Sequence, residues 1–480
     1  MKVKVRPLFM LGGVLAAALV VVGCGKQTKG DPAAPKSSRT TKLSLSARAA
    51  RLRWNMATLT ENYLQKGHHD AAWDEDATNA LSVFAQIRAD SASVEEVQYS
   101  FLATSCEQAV RRGCEDPMIL YLNTRFGLAR QEGMTDEVMA QGFRKAAAAT
   151  AQYPCAWIRQ FYICLRTAEA IDNSLPGQPS PEGHRFRRDA LLRLQRALDE
   201  PDIPVVEAQE ACRDLLASLD KWPNQYPEYF KALEPILQEH WPKEGFVLLL
   251  KGEFEINQAW RARGSGYADT VTEDGWKQFS THLAQAAQAL EKAWKLSPSD
   301  PKIAIQMMQV ELGEGKGRKR MELWFDRAMA LDPDNYDACH HKRNYLEPKW
   351  HGSPEEMIAF GRECVASEKW GGRVPLTLVD AHVSLAGYAK AVGNTNYWQQ
   401  PQVWTDVRAA FEKFFALNPD GTGWRHNYAY HAFACDQWDA FNQQIALFGG
   451  YTNYSYFGGQ DSFERMVSLS QAKAAKRTRD

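Results

Sequence analysis

The sequence predicts an all-α protein whose body is a helical repeat, an α-solenoid. Three observations carry this. Apolar residues recur at spacings of three and four along most of the chain, and the alternation of half-buried strands is scarce. Helix starts are marked by capping boxes, as in Ser93-Val94-Glu95-Glu96 and Ser353-Pro354-Glu355-Glu356. The C-terminal half contains an amphipathic segment that returns after 35 residues and again later. A chain of 480 residues with 45% hydrophobic and 24% charged residues is an ordinary folded protein. The net charge of −1 argues against nucleic acid as a partner, because phosphate binding needs a basic surplus or stripe.

The first element is a leader. Lys2, Lys4 and Arg6 form a positive region, followed by an apolar run from Leu8 to Val22 that is shorter than the roughly 20 residues a spanning helix needs. Residues 1–23 therefore predict a signal peptide, and the run closes on Val21-Val22-Gly23-Cys24. This segment resembles the lipobox of bacterial lipoproteins: an aliphatic residue, a small residue at −1, then Cys. The resemblance implies cleavage after Gly23 and lipid on Cys24. Two or three acyl chains hold a protein to a membrane where one anchors marginally. Gly25 stands where an Asp retains Gram-negative lipoproteins in the inner membrane, so the resemblance implies the outer membrane, with the body periplasmic or extracellular. Residues 24–44 are rich in Gly, Pro, Ser, Thr and Lys and predict a flexible tether. Loss of residues 1–23 removes three positive charges and leaves 54 basic against 58 acidic residues, a net −4.

Residues 45–265 predict an N-terminal helical domain, in which 172–183 (DNSLPGQPSPEG) is the clearest loop. With Cys24 set aside, eight cysteines remain, and export would place them where disulfides persist. Two close pairs stand out, Cys106 with Cys114 and Cys155 with Cys164. Eight residues of straight helix separate Cα atoms by about 12 Å, beyond the ~7 Å reach of a disulfide, so a bond needs a turn. Gly113 supplies one before Cys114, whereas nothing breaks the chain between Cys155 and Cys164. Connectivity stays open, and buried free thiols are the alternative. The spacing of the first pair resembles that of Sel1-like repeats. Neither Cys339-His340-His341 nor His68-His69-Asp70 has metal-site spacing, because adjacent helical residues point about 100° apart. No metal and no cofactor is expected.

Residues 270–465 predict the repeat domain, and 466–480 a basic tail. Reading 283–300 against 316–335 maps Leu290 to Phe325, Ala293 to Ala328, Leu296 to Leu331 and Pro298 to Pro333. A third copy at 409–421 aligns Phe411, Phe414, Leu417 and Pro419, with Phe414 where the others have Ala. Each copy is an amphipathic helix that a proline stops. These copies resemble the second helix of tetratricopeptide repeats, and the whole is similar to bacterial families of unknown function such as DUF4034. An insertion containing 345–357 separates the second and third copies.

No Walker loop, nucleophile elbow or dinucleotide fingerprint is present, and Gly313-Glu314-Gly315-Lys316-Gly317 follows a helix rather than a strand. The sequence thus predicts a non-enzymatic adaptor holding an envelope protein or peptide. Its groove would carry Trp324, Tyr336, Tyr345 and Trp350, since stacked repeats expose a concave face. Two alternatives are open. One is a carbohydrate or cell-wall binding protein using the aromatics of 350–424, Trp370 and Trp424 among them. The other is a hydrolase with His351 or His426 as general acid–base.

Overall fold

The computed structural model describes residues 45–477 apart from 90–95, 132–133, 176–179 and 449–451. The signal peptide, Cys24, the tether, the Ser93 capping box and the last three residues of the tail lie outside the described residues. Within them every regular element is helical, and most helices pack against their neighbours in sequence. The fold is all-α, with stacked helix pairs as a helical repeat requires.

Local chemistry starts these helices where it should. The Ser353 hydroxyl accepts from the Glu356 N–H at 3.3 Å, with Pro354 at the first helical position. Asp300 and Asn335 cap the two helices that follow the first two repeat copies. Each cap satisfies an amide that has no partner inside its helix.

The three copies end alike. Helices Glu273–Leu296, Arg318–Leu331 and Pro401–Leu417 each stop at the equivalent leucine. The next residue in each case leaves the helix with φ between −142° and −133° and ψ between 66° and 93°. Its amide still bonds the carbonyl four residues back: Ser297 to Ala293 at 2.8 Å, Asp332 to Ala328 at 3.0 Å, Asn418 to Phe414 at 2.8 Å. The proline that follows has no N–H and disfavours helix in the residue before it, so the break is dictated locally. The knobs Leu290, Phe325 and Phe411 are fully buried. Leu290 lies where a Cβ on Gly252 would sit 2.5 Å from its Cγ, so a glycine lets the helix Gly245–Arg263 close onto the first copy. In the third copy Phe414 is also fully buried, and its ring lies against Gly421 where a Cβ would come within 3.0 Å. The larger residue is absorbed by a glycine in the turn after the helix.

The N-terminal part is a bundle of helices packed mostly on their sequence neighbours. The first helix, Leu45–Met56, folds back on Asp74–Ala89 and reaches the helix Val205–Ala217, where Arg51 Nε donates to Glu207 Oε1 at 2.7 Å. One hydrophobic core runs from Leu59 to Phe254 and a second from Leu249 to Leu385. The helix Gly245–Arg263 serves both, with Phe246, Leu250 and Phe254 in the first and Leu249 and Ile256 in the second.

The cysteines correct the disulfide expectation. Gly113 does stop the helix Glu96–Arg111, in left-handed conformation (φ 106°), and the Cys114 amide folds back to the Ala109 carbonyl at 3.0 Å. Yet Cys106, Cys114, Cys155 and Cys164 are all free thiols, as are Cys212, Cys339, Cys364 and Cys435. The turn exists without the bond, because the two sulfurs are taken into the hydrophobic core as small apolar groups. Burial pushes the Cys114 thiol up to about 12 and Cys164 up to about 11, so neither is a ready thiolate.

Candidate functional site

The residues expected to line a groove are built into the body. Trp324 and Tyr345 are buried, and Tyr336, Trp350, Trp370 and Trp424 are half-buried. Most of the rings meet an arginine. Arg327 lies over Trp324 (4.3 Å) and Trp294 (5.2 Å), which themselves meet edge to face. Arg373 is held between Tyr336 (4.3 Å) and Trp424 (4.7 Å). Arg263 faces Trp350, Trp260 and Trp276 at 5.4–5.8 Å. Trp370 instead packs edge to face on Phe325. A guanidinium over a ring gains electrostatic and stacking energy, about 0.5–2 kcal/mol depending on exposure. These stacks join rings from separate repeats, so the aromatics staple the solenoid.

The two candidate acid–base histidines also have structural partners. The His351 ring lies tilted against Tyr345 at 4.5 Å, and its Nε2 lies 2.8 Å from the Leu312 carbonyl near the end of the helix Pro301–Glu314. That helix closes on Gly315 in left-handed conformation, so the Gly-rich segment acts as a helix terminator. His426 is buried, accepts the Asn453 N–H on Nε2 at 3.1 Å, and places Nδ1 3.2 Å from the Gly423 carbonyl. An Nε2 that accepts requires the Nδ1–H tautomer. The two histidines have separate partners, the Leu312 carbonyl for His351 and Gly423 with Asn453 for His426. His68 is stacked on Tyr153 at 4.9 Å. Among the described residues no group of three or more His, Cys, Asp or Glu converges on a point.

The densest polar constellation lies in the N-terminal bundle, where sequence reading placed no site. Glu207, on the helix Val205–Ala217, is completely buried and accepts from Arg51, Arg88 and the Asn55 side chain. Burial alone would raise its carboxyl, but Arg88, Arg51 and Arg159 together hold it well below the usual range. Glu210, one turn on, accepts from Arg88 at 2.8 Å and Arg51 at 2.6 Å. Arg159, only 1% exposed, stands differently. Its partners are neutral: Asn55 Oδ1 at 2.6 Å and Thr58 Oγ1 at 2.7 Å, with Trp54 beneath the guanidinium. Burial, partly offset by Glu207 and reinforced by Arg88, pushes it down to about 10.

Beside this cluster opens a small cleft, lined by Arg88, Arg125, Arg159, Arg166, Tyr121 and Tyr162 together with Phe84, Met118 and Asp214. Two π-helical turns frame the cluster. Ala57–Glu61 carries Thr58, and Asn123–Gly127 carries Arg125. Such widened turns are rare and frequent at functional sites. No local motif marks the cluster, because its arginines come from four separate helical segments.

No protein-family model and no curated protein matches the sequence. Among solved structures the chain is similar to human IFIT1, in its dimer with PPP-AAAA, at 12% identity and a TM-score of 0.41 over 77% of this chain and 73% of that one.

Proposed function

We propose that this chain is a bacterial envelope lipoprotein whose helical-repeat body holds a partner protein or peptide, with Cys24 as the lipid attachment point and residues 24–44 as the tether. The observation that carries the adaptor reading is a row of equivalent leucines. Leu296, Leu331 and Leu417 end the three repeat helices, and each is 40–48% exposed. The matching knobs six residues earlier are fully buried, so position in the repeat, not chance, leaves these side chains uncovered. Apolar side chains recurring at one place along a solenoid suit a partner that runs along it. The leader supports the location: positive residues, an apolar run, a small residue and a cysteine occur in lipoprotein order. A coil of the tether's length and composition spans about 25 Å, enough to hold the body clear of the headgroups.

The test has two readouts. Cys24→Ala should move the protein from the membrane to the soluble fraction and abolish labelling by a radioactive fatty acid. Crosslinking in intact cells, followed by purification, should recover a protein partner that the triple substitution Leu296→Ser, Leu331→Ser, Leu417→Ser loses. Membrane retention without lipid label would overturn the anchor. Equal crosslinking by the triple variant would overturn the leucine face.

A further inference from the structure

We propose that the arginine-lined cleft of the N-terminal bundle is a binding site for a compact oxyanion, the carboxylate or phosphate group of a small ligand. The inference is independent of the tether and of the adaptor reading. It rests on which of the cleft's cations are already neutralised. Arg88 is paired with Glu207 and Glu210, and Arg166 with Glu169 (2.6 Å) and Asp214 (2.7 Å). The hydrogen-bond partners of the other two carry no charge: Arg159 donates to Asn55 and Thr58, and Arg125 donates to the Tyr121 hydroxyl at 2.8 Å. Two guanidiniums without a paired carboxylate thus face one cleft. Of the two only Arg159 is buried, and Glu207 offsets its desolvation only in part and without bonding it, so it retains an uncompensated cost.

The donors support the same reading. The Nε–H groups of Arg88, Arg159 and Arg166 are buried without any acceptor. Guanidiniums present planar forks that match carboxylate and phosphate oxygens in pairs. Tyr162 sits within 3.4 Å of Arg88 Nη2 through its hydroxyl, and Tyr121 bonds Arg125, so two phenols stand beside the same cations. The cleft is far smaller than the sites that enclose a nucleotide or a folded peptide, which run from about 300 to 1,000 Å³. Only the anionic head of a ligand would enter it, with the rest left outside.

The experiment titrates inorganic phosphate and, separately, succinate into the detergent-solubilised full chain by calorimetry. At least one should bind with a Kd of about 1 mM or tighter. Arg125→Gln and Arg159→Gln should each weaken that binding about tenfold or more, the effect of losing a charge-assisted contact. Arg144→Gln, at a surface pair with Glu182, should leave it unchanged. Tighter phosphate assigns a phosphate ester, and tighter succinate a carboxylate. Failure of both anions to bind on that scale overturns the proposal, as does binding that Arg125→Gln leaves intact. Arg159→Gln removes a buried side chain; should it fail to fold, the half-exposed Arg125 decides alone.

Discussion

Trp260 and Trp350 meet edge to face at 5.5 Å, ninety residues apart in sequence, with Arg263 over both rings. The contact joins the helix Gly245–Arg263 to the turn after the helix Tyr336–Tyr345, which is part of the insertion that interrupts the repeat. It also gives the half-buried Trp350 a structural role. Trp350→Ala should destabilise the protein by about 2–3 kcal/mol, below the full cost of a completely buried aromatic. Urea denaturation checks this. Trp350→Phe should recover about half, because a ring remains to meet Trp260.

Glu207 answers two arginines directly, and its removal is the most damaging single change we expect in the N-terminal bundle. Glu207→Gln leaves Arg51 and Arg88 without their buried counter-charge and should cost about 3–5 kcal/mol. Glu182→Gln, which breaks the solvated pair with Arg144, should cost about 0–1 kcal/mol. The pH dependence has a definite sign. Glu207 is held below its ordinary value of 4.5 in the fold, so its contribution is complete above that value and is lost as pH falls towards about 2. Acid unfolding of the parent should therefore be steeper below pH 4.5 than that of Glu207→Gln.

His431 titrates in a milder range. It is buried, its Nδ1 has no hydrogen-bond partner, and its ring packs on Trp398 at 5.0 Å. Burial, with nearby His382 adding to it, lowers this imidazole to about 4. A histidine lowered in the fold stabilises fully above its unfolded value near 6.5 and loses that contribution as pH falls through 4. The loss amounts to about 3 kcal/mol. His431→Phe keeps the ring contact and should flatten stability between pH 6.5 and 4, read by thermal melts across that range.

Asp116 runs the other way. Its carboxylate caps the helix Pro117–Leu122 by accepting the amides of Met118 at 2.9 Å and Ile119 at 3.3 Å. Burial nevertheless raises it to about 6, against the lowering effect of those amides. A raised carboxyl favours folding below its unfolded value near 3.8 and loses that advantage as pH rises through 6. Asp116→Asn caps equally well and stays neutral. It should match or exceed the parent in stability at pH 7, with the difference shrinking below pH 4.

What was legible in the sequence was what is encoded within a few residues. The repeat helices could be placed from a leucine, an apolar knob and a proline at constant spacing, since a proline ends a helix wherever it stands. Gly113 was correctly read as a helix stop, yet the pairing it invited did not follow, because a turn does not say which way two thiols point. The aromatics could be counted but not assigned. Their partners Arg327 and Arg373 stand beyond the reach of any short pattern from Trp294 and Trp424, and such stacking is decided by how repeats meet. Phe414 in place of alanine carries no sign that Gly421, seven residues on, makes room for its ring. The Arg51–Glu207 contact spans 156 residues and leaves no periodic trace at either end.

The first helix has one more consequence. Leu45–Met56 is the point where any pull on the preceding segment enters the folded body, and its Arg51 grips a helix far along the chain at Glu207 and Glu210. Those ion pairs therefore stand in series with a load applied from the N-terminal side. Part of such a load would reach Val205–Ala217 through these side chains. Loosening the first helix would therefore also strip a counter-charge from Glu207 and Glu210, on a helix far along the chain.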